Sequence, residues 1–123
     1  MIISGLEFKN ELVFERFCIK PLHENQVKLL LDFVEQLPEK NISIEKFLKE
    51  NDMVGISRLA HNIKGVSSNL GALQLSEYAG KLEKFASDGY TTELLVNTAR
   101  EVRDISEKFI EDASKFLAST KEK

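Results

Sequence analysis

The sequence predicts an all-α fold, an antiparallel up-down four-helix bundle with one or more additional helices at the N-terminus. Apolar residues recur at three- and four-residue spacing through most of the chain, and no stretch sustains the alternation of a half-buried strand. Helix breakers are scarce, with two prolines and six glycines among 123 residues. The stretches between periodic segments are short, and short connections join antiparallel neighbours. A chain of this length is expected to form one compact domain over residues 1–123. Its 42% hydrophobic and 30% charged content supplies a core without the bias of a disordered or membrane chain.

Residues 7–19 read as a first helix, ended by Pro21, and residues 24–37 as a second. Pro38 either opens a new helix at its first position, where a missing N–H is harmless, or kinks a longer one. The reading favoured is a kink or short break, with helix resuming to Glu50. In "ENDMVG" a turn leads to Asp52, a capping residue for a helix over 53–70 that Gly71 stops. A further helix spans 73–86 and ends at "SDG", where Asp88 and Gly89 supply turn chemistry. Thr91 or Thr92 caps the last and longest helix. That helix buries Leu95, Val102, Ile105, Phe109, Ala113 and Phe116 and turns Glu101, Arg103, Glu107, Lys108 and Glu111 to solvent. The closing "KEK" reads as frayed.

Several function classes are disfavoured. The longest aliphatic run, Leu29 to Leu31, is far short of a spanning helix or of a signal peptide's apolar region, so a soluble, cytoplasmic protein is expected. The single cysteine, Cys18, has no partner for an internal disulfide and reads as a small buried hydrophobe in a reducing compartment. The net charge of −3 is spread along the chain without a basic stripe, which argues against a nucleic-acid partner. His23 and His61 have no second ligand at metal-binding spacing, and no P-loop, dinucleotide fingerprint or nucleophile elbow is present.

The informative residues lie in the helix over 53–70. Stepping about 100° per residue places Leu59, Ile63, Val66 and Leu70 within roughly 60° of one another, the predicted core stripe. His61, Lys64, Gly65 and Ser68 gather within roughly 100° on the opposite face. The histidine is therefore an outward residue, and a solvated surface histidine is the plain alternative to a functional one. Gly65 favours function. A glycine inside a helix is destabilising by about 1 kcal/mol relative to alanine, and nothing nearby signals a helix end. Four residues after His61, it clears space beside the imidazole for another molecule. Lys64, three residues after His61, places an ammonium on the other flank. A nucleophile, a cation and a cleared approach suit phosphoryl transfer, in which a protein mainly positions groups and neutralises charge.

These residues also match a family pattern. "AHNIKGVSSNLGA", followed by "KLEKFA", resembles the signature of histidine-containing phosphotransfer (HPt) domains of bacterial and fungal phosphorelays. That signature is close to A-H-x-[LI]-K-G-x-x-x-x-[LI]-G-A with a leucine–glutamate pair about one helix later. The likeness is close over residues 60–83 and looser over about 25–118, and residues before Asn25 lie outside it. It implies His61 as phosphoryl acceptor, Lys64 as the charge that steadies the phosphoryl group, and Gly65 as the clearing for the partner. Asn62 and Ile63 stand where threonine and leucine are frequent, neither on the reactive face.

Glu83 neighbours the apolar positions Leu75, Ala79, Leu82 and Ala86, which puts it at a helix–helix seam. If the two helices pack antiparallel across Gly71, Glu83 comes level with His61 and can accept a hydrogen bond from Nδ1–H, leaving Nε2 as nucleophile. The family pattern places a polar residue at this spot. The alternative is a solvent-exposed Glu83 paired with Lys81 or Lys84. Ser68 is a further candidate, as a hydrogen-bond donor to a phosphoryl oxygen.

The expected function is a phosphorelay intermediate. His61 takes a phosphoryl group from a receiver-domain aspartyl phosphate and passes it to another receiver aspartate, so the chain is a stoichiometric carrier and not an enzyme. The expected partners are response-regulator receiver domains and/or a hybrid sensor kinase, docking around His61 and nearby apolar residues of the N-terminal helices. No membrane partner is expected, and the chain reads as a monomer. No cofactor is expected either, with magnesium supplied only by the receiver. Two alternatives stand beside this reading: the phosphate-accepting module of a chemotaxis-type histidine kinase, and a non-catalytic helical interaction protein. A complete histidine kinase would need an ATP-binding domain, for which these residues leave no room.

Overall fold

The computed structural model describes residues 23–89 and 92–121. It is all-helical, with α1 at Glu24–Glu50, α2 at Met53–Leu70, α3 at Leu73–Ser87 and α4 at Glu93–Lys121. The expected helix over 7–19, its end at Pro21, Cys18, the alternative cap Thr91 and the last residues of the "KEK" tail lie outside the described residues.

α1 decides between the readings of Pro38: it runs through the proline as one longer helix, which rules out a new helix or a short break there. A proline inside a helix removes one backbone hydrogen bond and costs about 3 kcal/mol. The buried positions Val27, Leu30, Phe33, Leu37, Asn41 and Ile44 keep helical spacing on both sides of the proline, while Pro38 itself faces out. Each buried Leu, Ile or Phe contributes about 1.5–3 kcal/mol, so the continuous apolar face outweighs the missing bond. Asn41 Nδ2 donates to the Leu37 carbonyl at 3.1 Å, adding a side-chain bond across the turn that follows the proline.

Local chemistry sets the other ends. Asp52 Oδ1 accepts from the Gly55 N–H at 3.0 Å and caps α2. Gly71 ends α2 at φ 78°, a left-handed conformation in which a side chain would be strained, while the Gly71 and Ala72 N–H groups donate to the Ser68 and Ser67 carbonyls. Thr92 Oγ1 accepts from the Leu95 N–H at 3.0 Å at the start of α4.

The core lies between the helices. α2 packs most extensively against α3, α3 also packs on α4, and α1 packs on both α2 and α4. All six residues expected to form the α4 stripe are buried, and Phe109 meets Phe33 of α1 edge-on with ring centroids 5.9 Å apart. Arg103 differs from its expected solvent role: it is half-buried, and Nη1 lies 3.3 Å from Glu45 Oε1 on α1. The α2 stripe is also rotated from the one expected. Ile56, Ala60, Ile63, Ser67 and Leu70 are fully buried, whereas Leu59 and Val66 are half-buried against the core. The heavy contact with α3 draws the buried face toward that helix. Among the described residues no helix is long and apolar enough to cross a membrane.

Candidate functional site

The candidate site forms where α2 and α3 run side by side. Ala60 and Ile63 are fully buried, which fixes the rotation of α2 and turns His61 outward with its side chain 71% exposed. On α3, Leu82 and Ala86 are buried and place Glu83 at the seam, 25% exposed. The hairpin across Gly71 brings these residues, 22 apart in sequence, to 2.9 Å between His61 Nδ1 and Glu83 Oε2. An ionised carboxylate only accepts hydrogen bonds, so the contact selects the ring form with hydrogen on Nδ1. In the neutral imidazole the free lone pair is then on Nε2.

The second carboxylate oxygen, Glu83 Oε1, lies 3.5 Å from Lys64 Nζ, a longer and looser ion pair with the lysine 46% exposed. One carboxylate thus stands between an imidazole and an ammonium. Glu83 does not pair with Lys81, which sits 3.5 Å from Glu77 instead. Gly65 is exposed, and a Cβ built on it meets no atom within 4 Å, so the helix surface beside His61 is open.

Ser68 is placed differently from the other sequence candidates. Its hydroxyl lies 2.5 Å from that of Ser76 on α3, two helical turns or about 10 Å along α2 from His61. The neighbouring Ser67 is the buried serine, donating to the Ile63 carbonyl at 2.6 Å. His61, Lys64, Gly65 and Glu83 therefore share one patch, and Ser68 belongs to the α2–α3 joint.

Two residues at the patch were missed by sequence reasoning. Lys40 of α1 hydrogen-bonds Asn62 Oδ1, directly beside His61, and burial lowers its amine below the usual lysine range. No spacing in the sequence relates positions 40 and 62. Gly80 lies in mid-α3, and a Cβ there would meet Lys64 Cδ at 3.4 Å. It carried the signal already used for Gly65, a glycine inside a helix. Among the described residues, no group of three or more His, Cys, Asp or Glu side chains comes together as a metal site.

The model of one protein family, the Hpt domain, matches residues 28–118. No curated protein and no solved structure matches the chain.

Proposed function

The chain belongs to the Hpt domain family, which carries out histidine phosphotransfer in phosphorelays, and on that premise we propose that His61 is its phosphoryl carrier between receiver domains. The observation that carries this reading is an exposed imidazole whose Nδ1 is held at 2.9 Å by a half-buried carboxylate. In the first step the Nε2 lone pair bonds to phosphorus as the phosphorus–oxygen bond to the donor aspartate breaks, and that electron pair returns to the donor's carboxylate. The ring keeps its Nδ1 proton and becomes a phosphorylated imidazolium. In the second step an oxygen of the acceptor aspartate bonds to phosphorus and the phosphorus–nitrogen pair returns to Nε2. Neither step needs a proton to move.

The neighbouring residues suit these charges. Glu83 stabilises the positive ring, and Lys64 offsets negative charge on the phosphoryl oxygens. The open surface over Gly65 admits a protein donor. Short joints and the closed ring of helix neighbours support an antiparallel up-down bundle that presents this patch on its side. The chain acts as a stoichiometric, cytoplasmic, monomeric carrier and not as an enzyme. Its partners are receiver domains or a hybrid sensor kinase, and any magnesium ion belongs to the receiver.

The test is His61→Gln. The wild-type chain should take acid-labile label from a phosphorylated receiver, and the variant should take none while keeping its helical content and melting behaviour. Acid-labile label retained by the folded variant would overturn the assignment.

A further inference from the structure

We infer that Gly80 is a positioning residue for Lys64: the gap it leaves in the surface of α3 is the channel through which the lysine stem reaches Glu83. The inference rests on the phosphotransfer reading for its consequence, but its geometry stands apart from that reading. Ser76, Gly80 and Glu83 follow one another at spacings of four and three residues along α3, so they form one stripe on the helix surface. Each meets a different part of Lys64. The Ser76 hydroxyl lies 3.5 Å from the Lys64 carbonyl oxygen. At Gly80 a Cβ would touch Lys64 Cδ at 3.4 Å. Glu83 Oε1 lies 3.5 Å from Nζ. The stripe thus follows the lysine from backbone to ammonium, and only at its middle position is a side chain missing.

A methyl group at position 80 would be in ordinary contact with the stem. A longer side chain would occupy the stem's path. Lysine has four flexible methylenes, so a blocked stem swings to solvent at little cost and its charge leaves the carboxylate shared with His61. Gly80 then governs the reaction without touching substrate, by deciding where the Lys64 charge rests.

The experiment combines two variants at position 80 with Lys64→Ala. His61 is labelled with phosphoramidate, a donor too small to be excluded by a side chain at a docking surface. Gly80→Leu should slow labelling by most of the roughly hundredfold expected of Lys64→Ala, whereas Gly80→Ala should stay near the wild-type rate. In the Lys64→Ala background, Gly80→Leu should add no further slowing, because the group it displaces is already gone. Equal slowing by Gly80→Leu in both backgrounds, or none in either, overturns the inference.

A second readout needs no phosphoryl chemistry. Nuclear Overhauser contacts from the Lys64 side chain to the Gly80 α-protons and the Glu83 γ-protons should be present in the wild type. The contact to Glu83 should survive Gly80→Ala and vanish in Gly80→Leu. Their absence from the wild type, or survival of the Glu83 contact in Gly80→Leu, overturns the inference. If the wild-type chain takes label from no donor, the phosphotransfer reading falls, and these contacts alone decide the position of Lys64. If Gly80→Leu does not fold, Gly80→Met takes its place in both measurements.

Discussion

Gly65 and Gly80 are glycines inside neighbouring helices; the first is four residues after His61, and the second lies against Lys64 of the same patch. Over Gly65 the surface is open, with no atom within 4 Å of a built Cβ, while over Gly80 the Lys64 stem lies at 3.4 Å. Each forgoes about 1 kcal/mol of helix propensity relative to alanine. The first leaves room for something from outside the molecule. The second leaves room for a side chain of the molecule itself. A helix-interior glycine near a reactive group can therefore mark either an approach path or an internal channel, and only the position of its neighbours tells which.

The sharpest break between the two positions comes from bulky substitution. Gly65→Gln should abolish phosphorylation of His61 by a receiver while leaving phosphoramidate labelling at an appreciable rate, because the small donor does not need the cleared surface. Gly80→Leu should slow both donors together. A Gly65→Gln variant that exchanges phosphoryl groups with its receiver normally would remove the contrast.

Lys64→Ala probes the residue that covers Gly80. Loss of one charge-assisted contact at the phosphoryl group should slow transfer in both directions by roughly a hundredfold, equivalent to about 2–3 kcal/mol, in rapid-quench measurements. An unchanged rate would make the lysine a solvated surface residue and Gly80 an incidental gap.

Glu83→Gln tests the carboxylate between them. The amide oxygen can still accept from Nδ1–H, so ring orientation should persist while the compensating charge is lost. Labelling should fall by about tenfold, equivalent to ~1.4 kcal/mol, a smaller loss than for Lys64→Ala. A loss as large as that of Glu83→Ala would show that the charge of Glu83, and not its hydrogen bond, does most of the work.

The smallest expected difference is in stability. Gly65→Ala should stabilise the fold by up to about 1 kcal/mol in urea denaturation, since the new methyl group meets nothing. Gly80→Ala should gain less, because its methyl group restricts the Lys64 stem. A larger gain at position 80 would place the stem elsewhere in solution.

Features decided within one turn of helix were legible in the sequence. The Asp52 cap, the Gly71 stop and the buried α4 stripe depend on spacing and backbone chemistry alone and are where the spacing put them, and of the two threonines offered as the α4 cap Thr92 accepts from the Leu95 N–H. The outward face of His61 was legible for the same reason, since it lies opposite Ile63 and Leu70, which are buried as the spacing predicts. Errors arose where a second helix intervened. Propensity allowed a kink or a short break at Pro38, and packing on both sides of it excludes the break and keeps α1 whole. The α2 stripe was centred too near Leu59 and Val66, because periodicity does not say how strongly α3 pulls. Ser68 lay on the correct face, yet Ser76 claims it.

By itself the sequence determined the helical class, most helix ends and the grouping of His61, Lys64 and Gly65 on one exposed face, because these follow from short-range geometry along a single helix. Tertiary structure alone decided that Glu83 meets both His61 and Lys64, that Lys40 reaches Asn62, and that Gly80 lies under the lysine stem. Each of these contacts depends on how far one helix slides and rotates against another. The many buried contacts of the whole core set that slide and rotation jointly, and no local spacing records the result.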